Sequence, residues 1–593
     1  MTAPSDSQLR PRPLALDGSP ALLLGPAGLT GVVLIEDWGY EGLCARRSMR
    51  LLAELLAREG YPVLRFDLPG MGGSVIAPEA VTGIDMLDAA LDAAIETLQR
   101  ETGAEQIVLV GLGLGTLLAG RRMARNRQGI GALVLMAPLL SGRLYLREAQ
   151  IRGAMIAERS RITPELPDGA AMSVAGLVLS EGLSRDIRAA SLGEAAIPCA
   201  CPVLCLPRPG RTGEEDFAAA LLANSTGAAS IPFAGYDELV TDPTLSAPPL
   251  AELAAIGTWV CQTLPSAPPP AASSRAGDSA RTPVPGPALL TGKGFREELV
   301  TLGRRGTLVG TWCQPDGQAR RRRTILFLTA GGTPRAGWGL ATRETARDLA
   351  RQGIASLRLD VSDIGDSAAA PGAPYPVHYS AGQQEDIADA LAFLETREAG
   401  EIIATGACSG AYLALRGAIA DPRIRVAVCV NLQRFLWDPR ENIGDLLRFD
   451  HGDTADYARK LFDPARIKKL FKGDVPVFAL IGFLIRRALN RFERVSAPYA
   501  LGLTTSSRLR RQINNDLATL DRRGQTVDLI YSENDPGLPF LAQILGARGK
   551  EASKYSNLRL TFLDATDHNL TPLSARTTVR DTLLRHAKAD TAG

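Results

Sequence analysis

Cys408 stands at the centre of the run Gly406-Ala407-Cys408-Ser409-Gly410. Glycines two places either side of a nucleophile suit a very tight strand-to-helix turn, where larger side chains would collide. Such a turn lifts the central side chain clear of a sheet. It also sets the next backbone N–H, that of Ser409, at a helix N-terminus, where it can stabilise an oxyanion. The glycines flank Cys408 in this way and do not flank Ser409. An acid and a histidine follow in chain order. TVDLIYSEND (526–535) reads as a strand ending in Asp535, and LRLTFLDATDHNLTP (558–572) carries His568. A histidine can take the thiol proton, and an acid can orient the histidine. Glu533 and Asp567 compete for the acid role. Asp567 adjoins His568 and would usually point elsewhere, so Asp535 is preferred.

Imidazole is scarce. The 593 residues hold four histidines, His378, His451, His568 and His586, so residues 1–377 have no imidazole for acid–base or metal chemistry. Lys+Arg is 66 and Asp+Glu 64, a net charge of +2 that argues against a dedicated nucleic-acid binder. With 45% hydrophobic and 22% charged residues, the chain has apolar material for more than one core. Its eight cysteines sit mostly in apolar runs and read as reduced thiols of a cytoplasmic protein. The cluster CACPVLC (199–205) has no histidine nearby and reads as one buried strand. No metal and no cofactor is expected. The N-terminus lacks a signal-peptide pattern. The apolar run VPVFALIGFLI (475–485) is shorter than the roughly 20 residues a bilayer span needs.

These residues need elements to hold them, and the chain supplies them twice. A Pro/Ser/Ala-rich linker, residues 263–288, divides it. Before it come a strand (31–37), a helix (44–60) and a strand leading into DLPGMGGS (67–74), then a helix (86–101) and a strand (106–110). After it the order repeats at 324–329, 340–353, DVSDIGDS (360–367), 384–398 and 401–405. Strands alternating with helices of this length predict parallel βαβ units, with helices on both faces of each sheet. Two strand-like runs, 297–302 and 308–313, predict an antiparallel lead-in.

With these motifs in order, the second half (289–593) resembles the α/β-hydrolase superfamily, in its serine-aminopeptidase-like group. The motifs carrying the resemblance are TAGGTPRAGW (329–338), DVSDIGDS, GACSG, YSENDPGL (531–538) and DATDHNLTP (564–572). The resemblance implies Cys408 as nucleophile, Asp535 as acid and His568 as base. It implies oxyanion N–H groups from Ser409 and from Gly331 or Gly332. Cysteine stands where serine is commoner. Similar cysteine elbows occur in dienelactone-hydrolase-like enzymes and in some thioesterases.

The first half (1–262) looks like the same fold without its chemistry. Its elbow reads GLGLG (111–115), with Gly113 at the nucleophile's place. Alignment sets Glu238 opposite His568, and Pro209, Gly210 and Arg211 stand where an acid should lie. This half also resembles exosortase-associated hydrolases, through GLGLGTLLAG (111–120) and APLLSGRLYLREAQIR (137–152). GLGLGT lacks the lysine of a P-loop.

The superfamily usually inserts a lid after the strand that follows the elbow helix, here predicted over 432–520. Between Arg459 and Arg511 there are thirteen Lys/Arg against three Asp/Glu. An apolar helix between basic turns suits an acyl chain with an anionic head, such as coenzyme A or a phosphopantetheine carrier. It suits peripheral docking on an anionic membrane equally well. A lid helix packed on the core with solvated arginines is the plainer reading. Arg320 to Arg323 is expected in a solvated turn. Three functional readings follow: a cysteine-dependent acyl ester or thioester hydrolase or acyltransferase, a serine-aminopeptidase-like peptidase or amidase, and a non-catalytic assembly module.

Overall fold

Each half builds its own sheet. The computed structural model describes residues 9–193, 201–266, 287–317, 323–438, 440–441 and 504–589. The first half contributes β1 (Arg12–Leu16), β2 (Ser19–Leu24), β3 (Thr30–Ile35), β4 (Val63–Phe66), β5 (Gln106–Leu112), β6 (Ile130–Met136), β7 (Ala170–Val174), β8 (Leu177–Ser180), β9 (Val203–Leu206) and β10 (Ala228–Ser230). The second contributes β11 (Ala288–Gly292), β12 (Phe295–Leu302), β13 (Leu308–Pro315), β14 (Arg323–Leu328), β15 (Ser356–Asp360), β16 (Glu401–Ala407), β17 (Ile424–Val430), β18 (Thr526–Ser532) and β19 (Leu558–Leu563).

The sheet orders are β1-β2-β4-β3-β5-β6-β9-β10 and β11-β12-β13-β15-β14-β16-β17-β18-β19. β4 to β10 of the first order and β15 to β19 of the second run parallel, behind an antiparallel lead-in. The second sheet has one more lead-in strand than the first. β12 and β13 are the two expected lead-in runs, extended by two residues at one end each. The central strands are nearly continuous apolar runs because helices cover both of their faces. Helix Gly39–Arg58 shows why. Its Ala45, Met49, Leu52, Ala53 and Leu56 recur at helical spacing and are all buried against the first sheet.

The cysteine-rich run places Cys205 in β9, and Cys201 is buried just before it. Residues 199 and 200 lie outside the described residues. Most of the linker, 267–286, lies outside them too, as do residue 439 and 442–503 of the expected lid and its apolar, basic segment. The end of the expected lid is core instead. Helix Thr505–Arg522 buries Ile513, Leu517 and Leu520 against the second sheet's helices. Arg323 also departs from expectation. It opens β14, pairs with Glu401 at 2.9 Å and donates to the His586 carbonyl at 2.6 Å. Arg320 to Arg322 lie outside the described residues.

The two halves meet through a pseudo-twofold contact. Arg50 lies eight residues before the end of helix Gly39–Arg58, and its Nε donates to the Gly365 carbonyl at 3.2 Å. Arg343 lies eight residues before the end of helix Ala341–Arg351, and its Nη1 donates to the Gly72 carbonyl at 3.1 Å. Gly72 and Gly365 are the sixth residues of DLPGMGGS and DVSDIGDS. Around them, Arg46 pairs with Asp366 at 2.7 Å, and Arg47 and Arg50 pair with Asp363 at 2.8 and 2.7 Å. Arginine is almost never fully buried unless paired. The inward faces of both helices bury arginine because the other half supplies carboxylates and backbone carbonyls.

Candidate active site

The turn after β16 is as tight as its sequence requires. Cys408 adopts φ 52°, ψ −117°, and helix Ser409–Ala420 starts at the next residue. Such a left-handed conformation is uncommon for a residue with a Cβ and marks a site worth attention. A Cβ at Gly406 would lie 2.6 Å from the backbone of Gly410, and one at Gly410 would lie 2.6 Å from the Leu328 carbonyl. Both glycines are therefore needed for close approach. Cys408 is half-buried, whereas Cys44, Cys201, Cys205, Cys313 and Cys429 are buried.

β18 and β19 bring the other two residues to it. Nδ1 of His568 lies 2.6 Å from Oδ2 of Asp535, and the Cys408 side chain is a second hydrogen-bonding partner of the imidazole. Burial disfavours the charged imidazole, but the Asp535 carboxylate outweighs it, and His568 titrates well above its ordinary value. Asp535 is buried and also accepts from the Gly537 N–H at 2.7 Å. Glu533 is exposed. Asp567 turns the other way, accepting from the Thr571 N–H at 2.7 Å and its hydroxyl at 2.8 Å. Asn431 carries no signal in the sequence, yet it ties this corner together. Its Nδ2 donates to the His568 carbonyl at 2.8 Å, and its Oδ1 accepts from the Ser532 N–H at 2.7 Å.

Gly331 and Gly332, in the loop after β14, are the candidates for the second oxyanion N–H, and both amides have hydrogen-bond partners. The Gly331 N–H donates to Ser409 Oγ at 2.8 Å, and the Gly332 N–H donates to Thr244 Oγ1 of the first half at 3.3 Å. Side-chain hydroxyls satisfy them because buried N–H groups rarely stay unpaired. The Ser409 backbone N–H stands at the start of its helix.

The other histidines have different settings. His378 is buried, and burial holds its pKa below the ordinary value. His586 pairs with Asp528 at 2.8 Å. His451 lies outside the described residues. Among the described residues no His/Cys/Asp/Glu group could hold a metal ion.

The first half keeps the turn and fills it. Gly113 adopts φ 53°, ψ −115°, nearly the angles of Cys408. The pairing of Ile35 with Gly111 matches that of Leu328 with Gly406, so Trp38 corresponds to Gly331 and Leu114 to Ser409. Oδ1 of Asp37 accepts from the Trp38 N–H, the Leu114 N–H and the Tyr145 hydroxyl, each at 2.8 Å. A Cβ at Gly113 would collide with the same carboxylate. Asp37 thus occupies both the oxyanion position and the space a nucleophile would need. Burial, with Glu41 nearby, pushes its pKa up to about 7 against the pull of those three donors. Glu238, aligned opposite His568, is exposed on the short helix Tyr236–Leu239.

Two sheets of this topology, each with a nucleophile-elbow turn, define the α/β-hydrolase class. Residues 43–192 match the family model described as serine aminopeptidase, S33, and residues 325–581 match the alpha/beta hydrolase family model. The chain carries two α/β-hydrolase domains in tandem, which marks it as a hydrolase. No curated protein matches it. Similar solved structures include Est1E from Butyrivibrio proteoclasticus bound to ferulic acid, at 16% identity, covering 42% of this chain and 98% of that one, with a TM-score of 0.32. An esterase of Pyrococcus furiosus matches at 15% identity, covering 44% and 95%, with a TM-score of 0.32. A proline iminopeptidase of Mycobacterium smegmatis matches at 14% identity, covering 43% and 98%, with a TM-score of 0.28. No helix among the described residues is long and apolar enough to cross a membrane.

Proposed function

We propose that the second half is a cysteine-dependent hydrolase or acyltransferase acting on an acyl ester or thioester, with Cys408 as nucleophile, His568 as base and Asp535 as the residue that orients it. The observation carrying this reading is the imidazole of His568, held at Nδ1 by Asp535, with the Cys408 side chain as a second partner. In the reaction, the Cys408 thiol gives its proton to Nε2 of His568. The sulfur forms a bond to the acyl carbon, and the carbonyl electron pair moves to oxygen. The Ser409 N–H stabilises that oxyanion, and the Gly331 N–H joins it when Ser409 Oγ turns aside. Collapse breaks the bond to the leaving alcohol or thiol, which takes the proton from His568. Water or another acceptor then attacks the acyl-enzyme thioester by the same steps in reverse. Thiolates exchange readily with thioesters and activated esters, which favours those substrates.

Carrier-bound acyl groups and contact with an anionic membrane remain part of this proposal through the basic segment between Arg459 and Arg511, which lies outside the described residues except for Arg508, Arg510 and Arg511. The first half is read as a pseudo-hydrolase. Intact-protein mass spectrometry after incubation with acyl thioesters tests the main reading. The wild type should gain one acyl mass, and Cys408→Ala should gain none. An adduct that persists in Cys408→Ala, or that maps to Ser409, overturns it.

A further inference from the structure

We infer that Thr244, a residue of the first half, is a positioning residue for the oxyanion loop of the second, so that the candidate active site is shared between the two halves. The inference rests on the reading of Cys408 as the nucleophile. The sequence around Thr244 follows β10, where an active α/β-hydrolase domain carries its histidine loop. In this half the loop reaches across to the other half instead.

Two observations carry the inference independently. The first is the hydrogen bond from the Gly332 N–H to Thr244 Oγ1 at 3.3 Å. The second is steric. A Cβ at Gly331 would collide with Thr244 Oγ1, and a Cβ at Gly332 would collide with the Pro243 carbonyl. The two glycines of the second half's loop leave room for the first half's backbone. Gly331 also sits at φ +51°, where glycine is the least strained choice.

The first half holds the loop firmly. Thr244 N–H and the Leu245 and Ser246 amides all turn back on Asp242, at 2.9, 3.0 and 2.6 Å. The Tyr40 hydroxyl donates to the Thr241 carbonyl at 3.1 Å, and Ser246 Oγ donates to the Cys44 carbonyl at 3.0 Å. The backbone that carries Thr244 is therefore held in place. Two consecutive glycines are among the most mobile backbone a chain can have, and an oxyanion hole works through donors fixed before the reaction. Anchoring Gly332 fixes the peptide plane that follows Gly331, whose N–H corresponds to the Trp38 N–H that binds the Asp37 carboxylate in the first half.

The test uses the full chain with Thr244→Val, which keeps the shape and loses the hydroxyl, and Thr244→Ser, which keeps the hydroxyl. With p-nitrophenyl acetate, Thr244→Val should lower kcat by about 3–10-fold, the worth of one lost hydrogen bond. KM should move less, and Thr244→Ser should restore kcat. Amide hydrogen exchange across residues 329–335 should quicken in Thr244→Val and not in Thr244→Ser. Unchanged exchange and unchanged kcat in Thr244→Val overturn the inference, as does a Ser variant as impaired as the Val variant. A wild type with no turnover and no acyl adduct overturns the acyl-transfer reading instead, and the exchange comparison then decides the Thr244 contact by itself.

Discussion

Oδ1 of Asp37 lies 2.8 Å from the backbone nitrogen of Leu114, in the place where a reacting oxygen would sit if the first half were active. On the pseudo-hydrolase reading proposed for the first half, its oxyanion position is filled from within. Folding leaves the Asp37 carboxyl with a pKa near 7, against about 3.9 in an unfolded chain. Between those values the native state holds the extra proton, so stability falls as pH rises through that window. Asp37→Asn cannot ionise and keeps an acceptor oxygen. Its melting temperature should exceed that of the wild type at pH 8, and the advantage should vanish by pH 4. Glu41, whose pKa burial also raises, contributes to the slope that remains.

Asp535 sets the charge state of His568. Asp535→Asn should lower turnover by about 10³–10⁴-fold, as loss of the orienting acid does in related triads. In NMR titration the His568 ring should also lose its proton at lower pH than in the wild type, because the carboxylate that raises its pKa is gone. Glu533→Ala should leave both readings unchanged, since that side chain is exposed.

Asn431 links the ends of β17 and β18 to the histidine loop from a fully buried position. Asn431→Ala leaves the Ser532 N–H and the His568 carbonyl without that partner, at a cost of about 2–3 kcal/mol for the buried groups stranded. Urea unfolding should register that loss. Turnover should fall further than the stability change accounts for, because the backbone of His568 is released.

Asp363 anchors the contact between the halves. Its carboxylate pairs with Arg47 and Arg50, and Arg50 is only 2% exposed. Asp363→Ala removes one of two carboxylates on buried Arg50, which keeps Glu54 and the Gly365 carbonyl, and should destabilise the chain by about 1.5–3 kcal/mol in denaturant unfolding. Asp363 has φ 64°, a conformation asparagine tolerates better than alanine, so Asp363→Asn should lose less.

Some of this was legible in the sequence because it depends on local patterns. The doubled strand–helix order follows from apolar periodicity, which reports burial wherever it occurs. The elbow glycines follow from a steric demand within five residues. The order Cys408, Asp535, His568 follows from the ends of successive strands. The preference for Asp535 over Asp567 rests on sequence adjacency; in the structure Asp535 meets His568 Nδ1 and Asp567 bonds to Thr571.

Tertiary structure decided the rest. The lid placed over 432–520 from the superfamily's usual insertion point includes Ile513, Leu517 and Leu520, which pack into the core, and the position of an insertion does not register that packing. Arg343 and Arg347 lie in a charged helix whose pattern does not mark them as buried. They are buried because Gly72, Gly73 and Ser74, some 270 residues earlier, present carbonyls to them. Thr244 and Asp37 give no signal of their own. One meets its partner 88 residues away across the contact between the halves, and the other meets its partner 77 residues away where β3 and β5 become neighbours in a sheet. The sequence by itself determined that there are two copies of one fold and that only the second carries Cys408, Asp535 and His568 in that order. The tertiary structure decided what became of the empty copy: it closed its own oxyanion hole with Asp37 and placed Thr244 against the loop of the other.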